Sequence, residues 1–340
     1  MWGYPHLLIY IKGVKTMKMK KTEKYKLIVF FATIIILPYL FLYMEKQREI
    51  FDSVSISMIY CYMPALGVSL GLYFFEKEKF KKQNYIIMLG FTITFIEVLL
   101  TYFAILNSDV MEILVAITSL IIGLWLIAVS IFNPSSGNMY INNNISKCRK
   151  LVFPIFIIYS IATLIVSGFN ILSLGKFFAG IIFSVGAVSS LFGEEYGWRG
   201  YLQEILQIRF GKRIGVILLG IIWELWHFPI EIIWQKDLFV LDIFGYIVRF
   251  IFIISLAIMM GYVYMKTKNV WATAIIHAIN NSMGTASLYT SDKIVWTYES
   301  IMNNSQIMRF TVVILILTII FSTYLFTKEY SGKVENESIV

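Results

Sequence analysis

Three ionisable side chains interrupt an apolar part of this chain, in the stretch Gly193-Glu194-Glu195-Tyr196-Gly197-Trp198-Arg199-Gly200. A charged group near the centre of a lipid bilayer costs at least about 2.5–3.5 kcal/mol, so such groups are rare there unless they are paired, hydrated or functional. His227 and His277 lie in two further apolar segments. We interpret these three polar clusters as parts of one site inside a membrane protein.

The apolar segments around this stretch predict the fold. The chain has 340 residues, of which 58% are hydrophobic and 16% aromatic, and its mean hydropathy is +0.74. Apolar segments of about 20 residues, the length that spans a bilayer as a helix, occur near residues 25–44, 54–75, 84–106, 111–132, 151–171, 176–193, 213–228, 240–265, 269–288 and 308–327. The sequence therefore predicts an all-α, polytopic bundle of about ten transmembrane helices.

The Lys and Arg residues predict the orientation of the bundle, because positively charged loops stay in the cytoplasm. Seven lysines lie between Lys12 and Lys26, and if this end is cytoplasmic, 21 of the 29 Lys and Arg residues lie on that side and six on the other. We expect both termini in the cytoplasm, a multi-pass location in a bacterial plasma membrane, and basic loops that contact anionic lipid. These loops account for the net charge of +8, so we expect no nucleic-acid partner.

Polar segments divide the chain into five parts. In chain order we expect a basic cytoplasmic N-terminal segment (1–24), four accessory transmembrane helices (25–132), a polar cytoplasmic linker (133–150), a transmembrane core with most of the intramembrane polar groups (151–290), and a last loop, helix and tail (291–340). Met17 and Met19 are plausible alternative translation starts. No inverted repeat of the kind found in many secondary transporters is visible in the sequence, which argues against that class.

The double glutamate is the first chemical feature. Helical spacing places Glu195 and Arg199 four residues apart on one face, where they can pair, while Glu194 points about 100° away. One carboxylate is then neutralised, and the other is left free to act as a general base. The alternative interpretation of this stretch alone is an ion pair that closes the end of a span.

Depth in the membrane favours the functional interpretation. Arg209 and Arg213 mark a cytoplasmic turn between two helices; Glu194 precedes Arg209 by 15 residues, and His227 follows Arg213 by 14. At a rise of 1.5 Å per residue, both side chains would lie roughly 20 Å from the turn, provided that the first helix continues to about residue 208. We therefore expect the carboxylate and the imidazole at one level on neighbouring antiparallel helices.

A third polar cluster enters from the same side. His277 follows Lys268 by nine residues, and Asn281 lies one helical turn deeper on the same face. A carboxylate, two imidazoles and an amide can then converge in a cavity that opens to the cytoplasm. Of the other intramembrane charges, Glu97 and Arg249 could pair with each other.

The three clusters resemble the three motifs of the CPBP family, the CAAX proteases and bacteriocin-processing enzymes that are also called the Abi family. The motifs here are Glu194-Glu195-x-x-x-Arg199, Trp223-x-x-x-His227 and His277-x-x-x-Asn281, and the resemblance covers about residues 150–290. The second motif of the family usually begins with Phe, and Trp223 keeps an aromatic wall at this position.

This resemblance implies an intramembrane endopeptidase. Glu194, aided by His227, would deprotonate a water molecule that attacks a peptide carbonyl. His277 and Asn281 would donate hydrogen bonds to the developing oxyanion, a contribution often of about 2.7–4 kcal/mol for one donor. The Glu195–Arg199 pair would hold the first motif in place behind these groups.

We expect no metal cofactor, although zinc is the alternative because two His and a Glu can form a catalytic zinc site. The sequence lacks the compact His-Glu-x-x-His arrangement, and Asn281 is better suited to an oxyanion than to Zn²⁺. Cys61 and Cys148 are the only cysteines and are far apart in sequence, which does not indicate a metal cluster or a disulfide framework.

Two functional questions stay open in the sequence. The same fold could serve as a non-catalytic membrane scaffold, immunity factor or regulator that binds a peptide in its cavity. As an enzyme, the protein would act on a membrane-associated peptide or protein. The composition, rich in Lys, Ile and Asn, resembles that of low-GC bacterial proteins, where prenylated substrates are not expected, so the sequence favours a peptide precursor.

Overall fold

The computed structural model describes residues 20–48, 53–234, 239–288 and 294–331. Within these ranges the helices are α1 (Lys21–Arg48), α2 (Ser53–Phe75), α3 (Lys82–Tyr102), α4 (Ser108–Phe132), α5 (Ile145–Val166), α6 (Ile171–Phe183), α7 (Val188–Gly197), α8 (Gln203–Phe210), α9 (Lys212–Trp234), α10 (Ile243–Thr267), α11 (Val270–Leu288), α12 (Tyr298–Asn303), α13 (Ser305–Ser322) and α14 (Lys328–Ser331). A π-helical turn, Trp198–Leu202, joins α7 to α8. Two short parallel strands, β1 (Phe239–Leu241) and β2 (Ile294–Trp296), pair with each other.

The predicted all-α polytopic fold is confirmed, with two differences among the spans. In the described residues, eight helices are long and apolar enough to cross a membrane, or nine if the pair α6 and α7–α8 forms one broken span with a bend of 75°. The predicted sixth span, 176–193, crosses this bend. The predicted ninth span is α11, a helix of 19 residues that is not among the eight because its polar side chains lower its hydropathy.

Small residues bring α7 against α2. Gly193 and Gly197 are four residues apart on one face of α7, a spacing that lets membrane helices approach closely. A Cβ atom at Gly193 would lie 2.6 Å from the carbonyl oxygen of Cys61, and one at Gly197 would collide with Pro64. The double glutamate lies between these glycines, so the packing that they permit sets the position of both carboxylates against α2.

The polar segment before α5 is tied to the start of α11. Asn269 donates hydrogen bonds through Nδ2 to the carbonyl oxygens of Ile141 (3.0 Å) and Asn143 (2.7 Å). Its Oδ1 atom accepts a hydrogen bond from the backbone N–H of Trp271 (2.8 Å), and the Trp271 indole donates to the carbonyl oxygen of Met139 (2.9 Å). This segment therefore fixes the first turn of α11, the helix that carries His277.

Helix ends predicted to be cytoplasmic lie together in the bundle. Lys26 at the start of α1 forms an ion pair with Glu76 after α2. Lys268, in the turn after α10, pairs with Glu204 of α8 at 2.7 Å. In each pair, the two helix ends lie on one side of the bundle, as the alternation of helices expected from the Lys and Arg distribution requires. The cytoplasmic location of these ends stays a prediction.

Candidate active site

Glu194 is buried in α7 and hydrogen-bonded to a tryptophan of α9. Its side chain accepts a hydrogen bond at Oε2 from the indole Nε1–H of Trp223, at 3.0 Å. Only 3% of Glu194 and 1% of Trp223 is exposed. A carboxylate that is removed from water must be hydrogen-bonded by donors of the protein, and Trp223 supplies one such donor to Glu194.

Glu195 has two partners, one from its own helix segment and one from α11. Its Oε1 atom accepts hydrogen bonds from Arg199 Nη1 at 2.9 Å and from His277 Nδ1 at 3.0 Å. Glu195 and Arg199 are both fully buried. The ion pair predicted from the four-residue spacing therefore forms, and the second glutamate also holds the imidazole of the third motif.

Trp223 is the central side chain of the cluster. The Arg199 guanidinium carbon lies 4.0 Å from the centre of the Trp223 ring system, within the range of a cation–π interaction. The His277 ring meets Trp223 edge to face, with ring centres 5.5 Å apart. With the hydrogen bond to Glu194, Trp223 thus contacts residues of the first and third motifs.

His227 lies one turn after Trp223 on α9. Its Nδ1–H donates to the carbonyl oxygen of Trp223 at 2.9 Å, which leaves Nε2 as the acceptor nitrogen of a neutral ring. The side chain is 14% exposed, and its ring packs at 5.0 Å from that of Trp226. His227 therefore combines a fixed ring with a nitrogen that is able to take up a proton.

Asn281 lies at the margin of the cluster. The residue is exposed, and its Oδ1 atom accepts a hydrogen bond from Asn280 Nδ2 at 3.2 Å. Asn280 in turn accepts a hydrogen bond from the Tyr159 hydroxyl at 2.9 Å. Six of the seven residues predicted for the site form one contacting group, and Asn281 lies one turn beyond His277 with its amide N–H groups available to a ligand.

Two residues of α2 belong to the surroundings of the site and were not predicted from the sequence. The backbone of Cys61 packs against Gly193, the residue before Glu194: a Cβ atom at Gly193 would lie 2.6 Å from the Cys61 carbonyl oxygen. The Tyr60 hydroxyl donates to the carbonyl oxygen of Trp226. The sequence signal for this contact is the spacing of Gly193 and Gly197 on α7. It predicts that another helix packs closely against α7, but it does not identify that helix.

The predicted pairing of Glu97 with Arg249 is wrong. Arg249 of α10 forms ion pairs with two carboxylates of α9, at 3.2 Å to Glu224 and closely to Glu231. Glu97 instead accepts a hydrogen bond from the Thr118 hydroxyl at 2.8 Å. Glu224 and Glu231 are seven residues apart on one helix face, a pattern that would have indicated a shared partner on a neighbouring helix.

A zinc site does not fit the described side chains. Across residues 20–48, 53–234, 239–288 and 294–331, no group of three His, Cys, Asp or Glu side chains is placed to hold a metal ion. We therefore derive no step of the reaction through a metal.

The fold and the site define a class: a polytopic membrane protein with two carboxylates, two imidazoles and a guanidinium grouped inside its helix bundle, and an amide at the margin of the group. Residues 175–283 match the family model described as Type II CAAX prenyl endopeptidase Rce1-like. The chain is also similar to CAAX prenyl protease 2 of Methanococcus maripaludis, with 34% identity over 136 residues.

The aligned part covers 37% of this chain and 50% of the archaeal relative, so the chain spans about half the length of the curated protein it matches. The segment matched by the family model contains all three motifs. The resemblance predicted from these motifs is confirmed, because the part of the chain that carries them is similar to the Rce1-like endopeptidase family and to the archaeal CAAX prenyl protease.

Proposed function

We propose that this protein is an intramembrane endopeptidase that hydrolyses a peptide bond in a membrane-associated peptide or protein, with Glu194 as the base that activates water. The observation that supports this most directly is the hydrogen bond from Trp223 to Glu194. It holds a buried carboxylate in one orientation, and the backbone carbonyl of the same Trp223 accepts the hydrogen bond from His227. General-base catalysis by a positioned side chain commonly contributes about 10²–10⁴-fold in rate.

In the proposed reaction, Glu194 takes a proton from a water molecule whose oxygen attacks the scissile carbonyl carbon. His227, through its available Nε2 atom, assists in holding this water and moving its proton. The protonated Glu194 then returns the proton to the leaving amine as the tetrahedral intermediate collapses. The transfers balance, because one proton of the water passes through Glu194 to the leaving amine and the hydroxyl group becomes part of the new carboxyl group.

The oxyanion formed in the attack would be stabilised by His277 and Asn281. The Nδ1–H of His277 is directed to Glu195, so Nε2 is the nitrogen left to face the substrate. To donate through Nε2 while Nδ1–H is directed to Glu195, the His277 ring must carry a proton on both nitrogens. The amide of Asn281 supplies the second donor from one turn further along α11.

Three observations bear on the substrate class: the grouping of the site inside a bundle of apolar helices, the name of the similar protein and the composition of the chain. Cleavage inside a bilayer requires a hydrated cavity, because unpaired backbone groups are not tolerated in hydrocarbon. The relative from Methanococcus is named for CAAX prenyl substrates, whereas the composition of this chain favours an unprenylated precursor peptide. We propose a peptide held at the membrane by a lipid or by a hydrophobic segment, and these two substrate types can be compared directly.

The test is peptide cleavage by protein purified and reconstituted in liposomes. Farnesylated CAAX-type peptides and unprenylated precursor peptides are supplied in parallel, and products are identified by mass spectrometry. We expect cleavage by the wild type, its loss in Glu194→Gln, and metal content below one equivalent in active protein. A Glu194→Gln strain that behaves like the wild type, and unlike a full deletion, would instead support the non-catalytic scaffold.

A further inference from the structure

The hydrogen bond between Trp223 and Glu194 has a fixed direction. An indole N–H can only donate, and a carboxylate oxygen accepts, so the 3.0 Å contact between Nε1 and Oε2 permits one assignment. Both side chains are almost completely buried. A hydrogen bond to an ionised acceptor is among the stronger ones in proteins.

A positively charged side chain lies over one face of the Trp223 indole. Arg199 lies over the ring system at 4.0 Å and is itself held by Glu195 at 2.9 Å. A cation on the ring face draws electron density from the indole, which makes its N–H a better donor. The two neighbouring glutamates are therefore linked by a continuous path from Glu195 through Arg199 and Trp223 to Glu194.

We infer that Trp223 is a positioning residue that sets the orientation of the Glu194 carboxylate for its reaction with water. This inference rests on the proposed function of Glu194. By fixing Oε2, the indole determines where the other carboxylate oxygen points. A Phe side chain at this position, as in the motif that the second cluster resembles, would keep the aromatic packing but could not donate the hydrogen bond.

Two replacements of Trp223 test this inference. Trp223→Phe removes the donor, and benzothienylalanine, introduced by nonsense suppression, replaces only the N–H by sulfur and keeps the ring beneath Arg199. For both variants we expect kcat to fall by about 10- to 100-fold, the rate equivalent of one hydrogen bond to a charged group. KM for the peptide should stay within about twofold, because the indole does not contact the substrate in this mechanism.

Trp198→Phe is the matched control. Trp198 is fully buried, and its indole N–H has no acceptor among the described residues. The same substitution there removes a similar volume without removing a hydrogen bond, so kcat per folded protein should change little. If both Phe variants lose stability, the benzothienylalanine variant still separates packing from hydrogen bonding.

A second readout does not depend on turnover. With ¹⁵N-labelled indoles, the eight tryptophans give resolvable N–H signals, and Trp223→Phe identifies the one from Trp223. This signal should move upfield in Glu194→Leu, which removes the acceptor, and stay in place in Glu204→Gln. An unmoved signal in Glu194→Leu, or an active wild type with unchanged kcat in both Trp223 variants, overturns the inference. A wild type without any peptide cleavage counts instead against the proposed function.

Discussion

His277 Nδ1 lies 3.0 Å from Glu195 Oε1, the same carboxylate oxygen that accepts a hydrogen bond from Arg199 at 2.9 Å. Glu195 thus joins α11 to the segment α7–α8 through one buried atom. In the proposed mechanism the two neighbouring glutamates have different tasks. Glu194 acts on water, and Glu195 holds the imidazole and the guanidinium that surround it.

Glu194→Gln should remove activity while the protein stays folded. The amide keeps the shape of the side chain and can still accept the Trp223 hydrogen bond, but it cannot take a proton from water. We expect kcat to fall by at least about 10², with an unchanged melting temperature in detergent. The control is Glu204→Gln on α8, whose carboxylate pairs with exposed Lys268 and should be dispensable for cleavage. A Glu194→Gln protein that retains most of its kcat contradicts the assignment.

Arg199→Ala should lower both activity and the amount of folded protein. It leaves the Glu195 carboxylate without its charge partner in a fully buried place, and removing one member of a buried pair typically costs about 3–5 kcal/mol. Arg199→Lys keeps the charge but loses the planar group over Trp223, so it should restore protein level more than kcat. Membrane protein yield and kcat per folded molecule are measured together. Equal loss of protein in Arg199→Ala and Glu194→Gln would indicate that the first motif is structural.

The ion pair of Glu195 with Arg199 could be predicted from sequence because spacing along one helix fixes which side chains meet. The contact of His277 with Glu195 could not, since the residues are 82 positions apart and the contact depends on the rotation of two helices. Sequence patterns alone would equally have allowed His277 to contact Glu194. Helical depth was sufficient to bring the motifs to one level but not to assign partners.

The fold, too, could be predicted from the sequence only in part. Hydropathy located most of the helices, including α11, but the predicted sixth span, 176–193, crosses the 75° bend between α6 and α7. The contribution of α2 was also missed. Its residue Cys61 comes next to Glu194 only through the close approach at Gly193, which a hydropathy pattern does not contain.

His277 and Asn281 should act as one unit. If both stabilise the same oxyanion, the double alanine variant should be much less impaired than the product of the two single effects, because groups that act together are non-additive. The side chain of Asn281 is exposed and hydrogen-bonded to Asn280, so its single variant should lose kcat without loss of melting temperature. Strictly multiplicative effects with unchanged KM would contradict a shared oxyanion site, and normal turnover in either single variant would remove that residue from the mechanism.

The orientation of the bundle is testable with reporter fusions. The contact between Lys26 and Glu76 joins the start of α1 to the end of α2, and the contact between Lys268 and Glu204 joins the end of α10 to α8. The Lys and Arg distribution predicts that all four ends are cytoplasmic. Fusions after residues 80, 140, 211 and 267 should report cytoplasm, and fusions near residues 48 and 295 the opposite side. A cytoplasmic signal at residue 295 would rule out the ten-span topology and the common depth of the motifs.

Asp242, which joins the start of α10 to α12, should make the stability of the folded protein depend on pH. In the folded protein the pKa of Asp242 is lowered by hydrogen bonds from the backbone N–H groups of Gly245 first and Tyr298 second, at 2.9 and 2.7 Å. A lowered pKa means that the ionised carboxylate stabilises the fold above its unfolded pKa of about 3.9, and that this contribution is lost as the pH falls through the lower folded value. Asp242 therefore joins the start of α10 to α12 most strongly near neutral pH.

We expect Asp242→Asn to lower the melting temperature at pH 7 and to have a diminishing effect below about pH 4, because the unfolded wild-type chain then takes up a proton at Asp242 before the folded protein does. Asp109→Asn, in the first turn of α4, is the control for a general charge change and should show no such convergence. Melting curves of the detergent-solubilised proteins between pH 3 and pH 7 measure the difference. A wild-type advantage that stays constant down to the lowest pH would mean that the charge of Asp242 does not stabilise the contact between α10 and α12.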